Sequence, residues 1–119
     1  MLTMKRLSVL LGVLVIACSA YVAHVSLLDG IDGTLLSALL GDDTVYAEGY
    51  SDAKFRQVAL GSSQEQVFSI LGPPLETGVH NGESILRYAR SAHDSNYHVR
   101  VIVLREGRVF GKLHEFYVD

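Results

Sequence analysis

The sequence predicts an α+β domain, two short helices packed on a three-stranded antiparallel meander, preceded by an N-terminal membrane-anchoring helix. Three observations carry that reading: an uncharged apolar run from Leu7 to Leu28, a segment from Val58 to Leu75 with both boundary signals of a helix, and strict alternation from Tyr97 to Leu104. They divide the chain into an anchor at 1–28, a tether at 29–50 and a folded domain at 51–119.

At 1.5 Å per helical residue the leading run reaches about 30 Å, the thickness of a bilayer's hydrocarbon core. Ser8, Gly12, Ser19, His24 and Ser26 dilute it without adding a formal charge. Lys5 and Arg6 precede it and Asp29 and Asp32 follow, so the positive-inside rule directs the rest of the chain to the extracytoplasmic side, periplasmic if the cell has two membranes. The single cysteine leaves the type of anchor open. Val15-Ile16-Ala17-Cys18 fits a bacterial lipobox with Cys18 as the lipidated residue, whereas apolar sequence continuing through Leu28 fits an uncleaved signal anchor. Ala17-Cys18-Ser19-Ala20 also loosely suits cleavage of a secretory signal. With one cysteine there is no intrachain disulfide, so packing must stabilise the domain.

Between 29 and 50 repeated Gly and Asp interrupt any period, except at Leu35, Leu36, Leu39 and Leu40, which make two turns of helix. Those turns pack on the domain, or lie in the headgroup region or against a partner. Ser51 is placed to cap a helix through Gln57, with Asp52 in its first turn and Phe55 and Val58 as buried contacts. A second helix opens at Ser62 with Glu65 three residues on, a capping-box spacing. It buries Val67, Ile70 and Leu71 on one face and stops at Gly72, since Pro73 and Pro74 cannot continue it.

From Glu76 to Ser84 the chain reads as a loop, with a short hairpin around Asn81-Gly82 as the alternative. Strands are expected at Ile85–Ser91, Tyr97–Arg105 and Val109–Val118. In the second of these the row Tyr97, Val99, Val101, Val103 is expected to pack on the helices, since it is the wholly apolar one. Arg105-Glu106-Gly107 fits a three-residue hairpin with Gly107 left-handed, and Gly111 marks a bulge that changes the phase of the last strand.

Leu60-Gly61, the helix from Ser62 through Val67 to Leu71, and Gly72-Pro73-Pro74-Leu75 together resemble the hallmark of the SmpA/OmlA (BamE-like) family of small envelope domains. The likeness extends to Tyr88 and to Val103–Val109, covering roughly Phe55 to Val109; Ser62-Ser63 replaces a more usual Met-Thr and Leu86 stands where Trp is common. The resemblance implies the same α+β sandwich and a supporting role in outer-membrane protein assembly or envelope integrity through contacts with other envelope proteins. Pro73, Pro74, Leu75 and Tyr117 are the candidate contact residues.

All 13 acidic residues but only eight of the 10 basic ones follow Arg6, a balance of −5 that disfavours nucleic acid as a partner. No nucleophile stands with a base and no acids form a matched pair, so neither catalysis nor a cofactor is expected. Ser62-Ser63 reads as a cap, and His80 and His114 are lone residues. The alternative to an interaction module is a small ligand- or metal-responsive envelope domain using His93, Asp94 and His98.

Overall fold

The computed structural model describes residues 3–119, in side-chain detail except at 23–26; the first two residues of the expected 1–28 segment lie outside the described residues. The elements run α1 (Met4–Ser26), α2 (Gly30–Leu40), β1 (Thr44–Tyr46), α3 (Asp52–Gln57), α4 (Gln64–Leu71), β2 (Glu76–His80), β3 (Glu83–Arg87), β4 (Ala89–Ser91), β5 (Tyr97–Arg105) and β6 (Arg108–Tyr117). The architecture is α+β, with antiparallel sheets of four strands (β2-β3-β5-β6) and two strands (β1-β4).

α1 spans 23 residues, about 34 Å of helix. Apolar side chains surround it, and none of its Met4–Val22 portion is covered by the rest of the protein. A helix greasy on every side has no stable place in water. In length and composition it suits a membrane anchor or a signal.

Residues 29–50, expected as a tether with one short helix, hold α2 and β1, and both are joined to the domain. β1 pairs with β4 from Thr44↔Ser91 to Tyr46↔Ala89. α2 lies on β6 through Gly33, where a Cβ would stand 3.2 Å from that of Phe116. Glycine, not leucine, makes this contact, so no apolar periodicity announced it.

α3 follows the expected form: Ser51 Oγ accepts from Lys54 N at 3.2 Å, and Phe55 and Val58 are buried. In α4 the cap falls one residue later than expected. Ser63 Oγ accepts from Gln66 N, and Gln66 Oε1 accepts from Ser63 N at 2.8 Å, so Ser63 and Gln66, not Ser62 and Glu65, form the capping box. The cause is tertiary. Gly61 N donates to Val109 O and Val109 N donates to Ser62 O, each at 2.8 Å, which ties Ser62 to the start of β6. Val67 and Leu71 are buried, Ile70 packs at their edge, and Gly72 leaves the helix at φ +75°.

Of the two readings of Glu76–Ser84, the hairpin around Asn81-Gly82 is the one present, and its first arm is an edge strand in place of the loop. β2 pairs with β3 in register His80↔Glu83, across a two-residue turn in which Asn81 and Gly82 both have positive φ. All five β2 residues are exposed, which is why no core-facing alternation marks them. The strand expected at Ile85–Ser91 is one extended segment that changes partner at Tyr88: β3 pairs with β2, and β4 pairs with β1. Tyr88 N donates to Arg100 O at the switch, and the buried Tyr88 hydroxyl donates to Gly72 O at 2.8 Å.

β5 and β6 meet in register Arg105↔Arg108, so the turn has two residues, Glu106 and Gly107, and Glu106 shares the positive φ expected only of Gly107. The bulge expected at Gly111 is present: Val103 faces Gly111 while Leu104 faces Val109, and Phe110 is the extra residue.

The expected facing of β5 is reversed. Ile102 and Leu104 join Phe55, Val58, Val67 and Leu71 under the helices, while Val99, Val101 and Val103 form a separate cluster with Ile85 and Tyr97 on the opposite face. Parity fixes this assignment, since Leu86 of β3 stands opposite Ile102 and is itself in the helix-side core. The helix-facing row therefore carries His98 and Arg100.

Candidate functional site

A charged residue on the core side of a central strand requires partners, and Arg100 is 1% exposed. Its guanidinium forms a fork on Asp29, Nη1 to Oδ1 at 2.7 Å and Nη2 to Oδ2 at 2.8 Å. Nε donates to Asp52 Oδ1 at 3.1 Å, and Nη1 also donates to Val99 O at 2.7 Å. Asp52 Oδ1 accepts in addition from the Tyr50 hydroxyl at 2.7 Å.

His98 occupies the neighbouring position in the same row. Its Nδ1–H donates to Asp29 Oδ2 at 2.7 Å, and Nε2 stands 2.9 Å from Ser37 Oγ. Ser37 Oγ is also 3.0 Å from Asp42 Oδ2. Both protonation states of the ring are served: the neutral ring accepts the Ser37 proton, and the charged ring donates to Ser37, which then donates to Asp42. Among the described residues no buried side-chain N or O lacks a partner.

Burial pushes the Asp29 pKa upward, but hydrogen bonds from His98 and Arg100 and their positive charge outweigh it and hold the carboxyl well below the usual carboxylate range. Asp52 is lowered for the same reasons, with burial again opposing Arg100 and Tyr50. Burial works against the Arg100 charge, yet the two carboxylates raise its pKa further. Tyr50 is raised by burial and by its bond to Asp52.

This network sits where the chain leaves α1. Three residues, Leu27, Leu28 and Asp29, separate α1 from α2. Asp29 is clamped by β5, the Leu28 carbonyl accepts from His114 Nδ1 of β6, and Leu28 packs on the main core. The network thus fixes the end of the apolar helix to the sheet. A pocket of about 270 Å³ opens beside it between Leu27, Thr34, Tyr46 and Arg56.

The residues named from sequence are dispersed. Cys18 lies exposed within α1, which continues through it without a break. His98 belongs to the Asp29 network, while His93 is in the loop before β5, where its N–H donates to Asp43 Oδ2 at 2.7 Å. Asp94 has φ +55° in that loop. Among the described residues no group of three His, Cys, Asp or Glu is placed to hold a metal ion. His114, expected to be lone, bonds Leu28 and packs edge-on against Phe55. Pro73 is exposed, Pro74 and Leu75 are half-buried with Leu75 against the core, and Tyr117 is exposed beside Tyr97.

Asp29, Ser37, Asp52 and Arg100 were not anticipated as a group. Their partners lie 48 to 71 residues apart in sequence, and local patterns cannot report such pairs. The available signal was an arginine inside an alternating apolar strand. Set against protein-family models, curated proteins and solved structures, the chain matches none of them.

Proposed function

We propose that this protein is a membrane-anchored extracytoplasmic interaction module that supports outer-membrane protein assembly or envelope integrity, as its likeness to the SmpA/OmlA (BamE-like) pattern suggests. α1 is the anchor, and Lys5 and Arg6 in its first turn favour the cytoplasmic side for its start.

The observation that carries the reading is the exposed β6 edge of the sheet face turned away from the main core. Among the described residues no helix residue joins that face's cluster of Ile85, Tyr97, Val99, Val101 and Val103; the three valines are buried among their own neighbours, and the apolar side chains presented beside them on β6 are Leu113, 54% exposed, and Tyr117, 47% exposed. A concavity of about 500 Å³ opens at the Tyr97–Tyr117 end, lined also by Glu76, Arg87, Arg90 and Ser95. Exposed aromatic and aliphatic side chains beside a concavity rimmed by charged groups fit the composition of a protein-binding surface. Asp29, three residues past the anchor, is held by β5, which suits a part that holds a partner close above a bilayer.

Photo-crosslinkers at Leu113 and Tyr117 in native membranes test this. Recovery of one defined envelope protein from both positions, and not from Leu60 (67% exposed, beside the β5–β6 turn), is the expected result. Crosslinks to no protein at either position would overturn it. Intact-mass measurement of the extracted chain separates a start at Met1 from one at acylated Cys18, and protease added outside intact cytoplasmic membranes should reach the C-terminus.

A further inference from the structure

α2 inverts the usual arrangement of a surface helix. In a water-soluble domain the apolar stripe faces the core and the polar face meets solvent. Here Gly30 and Gly33 are buried, Ser37 bonds toward His98, and Leu35, Leu36, Leu39 and Leu40 point outward at 55, 40, 81 and 53% exposure. A leucine face on the outside is stable only if something apolar covers it.

We propose that this face of α2 lies in the lipid interface, the acyl–glycerol boundary of the same bilayer that holds α1, and so seats the domain on the membrane. The inference rests on α1 being the anchor. Continuity argues for lipid as the occupant. Only residues 27–29 separate the two helices, and Asp29 and Leu28 are pinned to the sheet, so α2 cannot swing away from where the span ends. Measured from Asp29, all 11 residues of α2 fall within about 16 Å of helix.

Charge selects the kind of contact. α2 has no basic residue and carries Asp32 in its first turn, so attraction to anionic headgroups is not available to it. Insertion of leucine among neutral lipids is the remaining interaction. It also accounts for a glycine at 33: a Cβ there would stand 2.7 Å from that of Asp29, so the helix could neither sit against β6 nor leave Asp29 on Arg100.

The test uses the full chain with Cys18→Ser and single cysteines Leu39→Cys, Leu14→Cys and Leu60→Cys, each carrying an environment-sensitive fluorophore, in phosphatidylcholine vesicles. Leu39 and Leu60 are surface positions, so folding is preserved. The Leu39 label should be quenched at least about threefold more by nitroxide near the top of the acyl chain than by aqueous iodide, with the Leu60 label showing the reverse order. The Leu14 label should respond to nitroxide near the chain terminus. If Leu14 is quenched by lipid while Leu39 behaves like Leu60, the seating of α2 is wrong and the anchor stands. If Leu14 is not quenched, the anchor reading fails and this inference with it. Shielding of Leu39 only in native membranes would point to a protein instead of lipid, and shielding only with anionic lipid would point to headgroup charge. Either result overturns the proposal.

Discussion

Neutralising Asp29 should release the anchor junction from the sheet. In Asp29→Asn the size of the side chain is kept and its charge removed, leaving a guanidinium 1% exposed with Asp52, itself 47% exposed, as its remaining charged partner beside the neutral amide oxygen of Asn and the Val99 carbonyl. Breaking a buried pair from one side costs about 3–5 kcal/mol. Since Asp52 still carries half of the pairing, the lower end applies, about 3 kcal/mol, roughly a 150-fold change in the folding equilibrium. The total stability of a small domain is about 5–15 kcal/mol, so the loss is readily measured.

Removing both partners separates charge from packing. Asp29→Leu with Arg100→Met should cost less than either change alone, because no uncompensated charge remains. Urea titration of the full chain in micelles, followed by tyrosine fluorescence because there are six tyrosines and no tryptophan, gives the midpoints. Amide exchange in α2 should quicken more than in α4, whose contacts lie elsewhere. A midpoint for Asp29→Asn shifted by less than about 0.5 kcal/mol, with α2 exchange unchanged, would refute the clamp.

The pH dependence follows with a definite sign. Asp29 and Asp52 have folded pKa values depressed below the ordinary 3.8, so their contribution is full above that value and is lost as pH falls toward the folded values. The parent should lose stability steeply below about pH 4, and Asp29→Asn should show a flatter acid limb in the same titration. Leu71→Ala, at a position 1% exposed between α4 and the sheet, should cost ~2–5 kcal/mol in urea, and parent-like stability would place that face outside the core. Gly33→Ala gains up to about 1 kcal/mol of helix propensity but drives a methyl into Asp29 and Phe116, for a net loss of ~1–3 kcal/mol and faster α2 exchange; a stabilised variant would show that α2 does not sit tightly on β6.

The sequence alone determined the features whose causes are local. An apolar run of bilayer length, the Ser51 cap, the Gly72-Pro73 stop, the alternation of β5 and the phase change at Gly111 each depend on neighbours a few residues away, and each appears where its residues put it. Tertiary structure decided what depends on distant partners. The α4 cap moved from Ser62 to Ser63 because Val109 took the backbone of Gly61 and Ser62. Tyr88 divides one extended segment between two strand partners, and β2 exists although none of its side chains is buried. Most of all, the facing of β5 turned on Arg100. Judged alone, the valine row is the better core surface, but Asp29 and Asp52 make a charged row compatible with burial, and those carboxylates are near it only once the chain has folded. Periodicity registers the polarity of a side chain, and whether that polarity is neutralised is a property of three-dimensional contact.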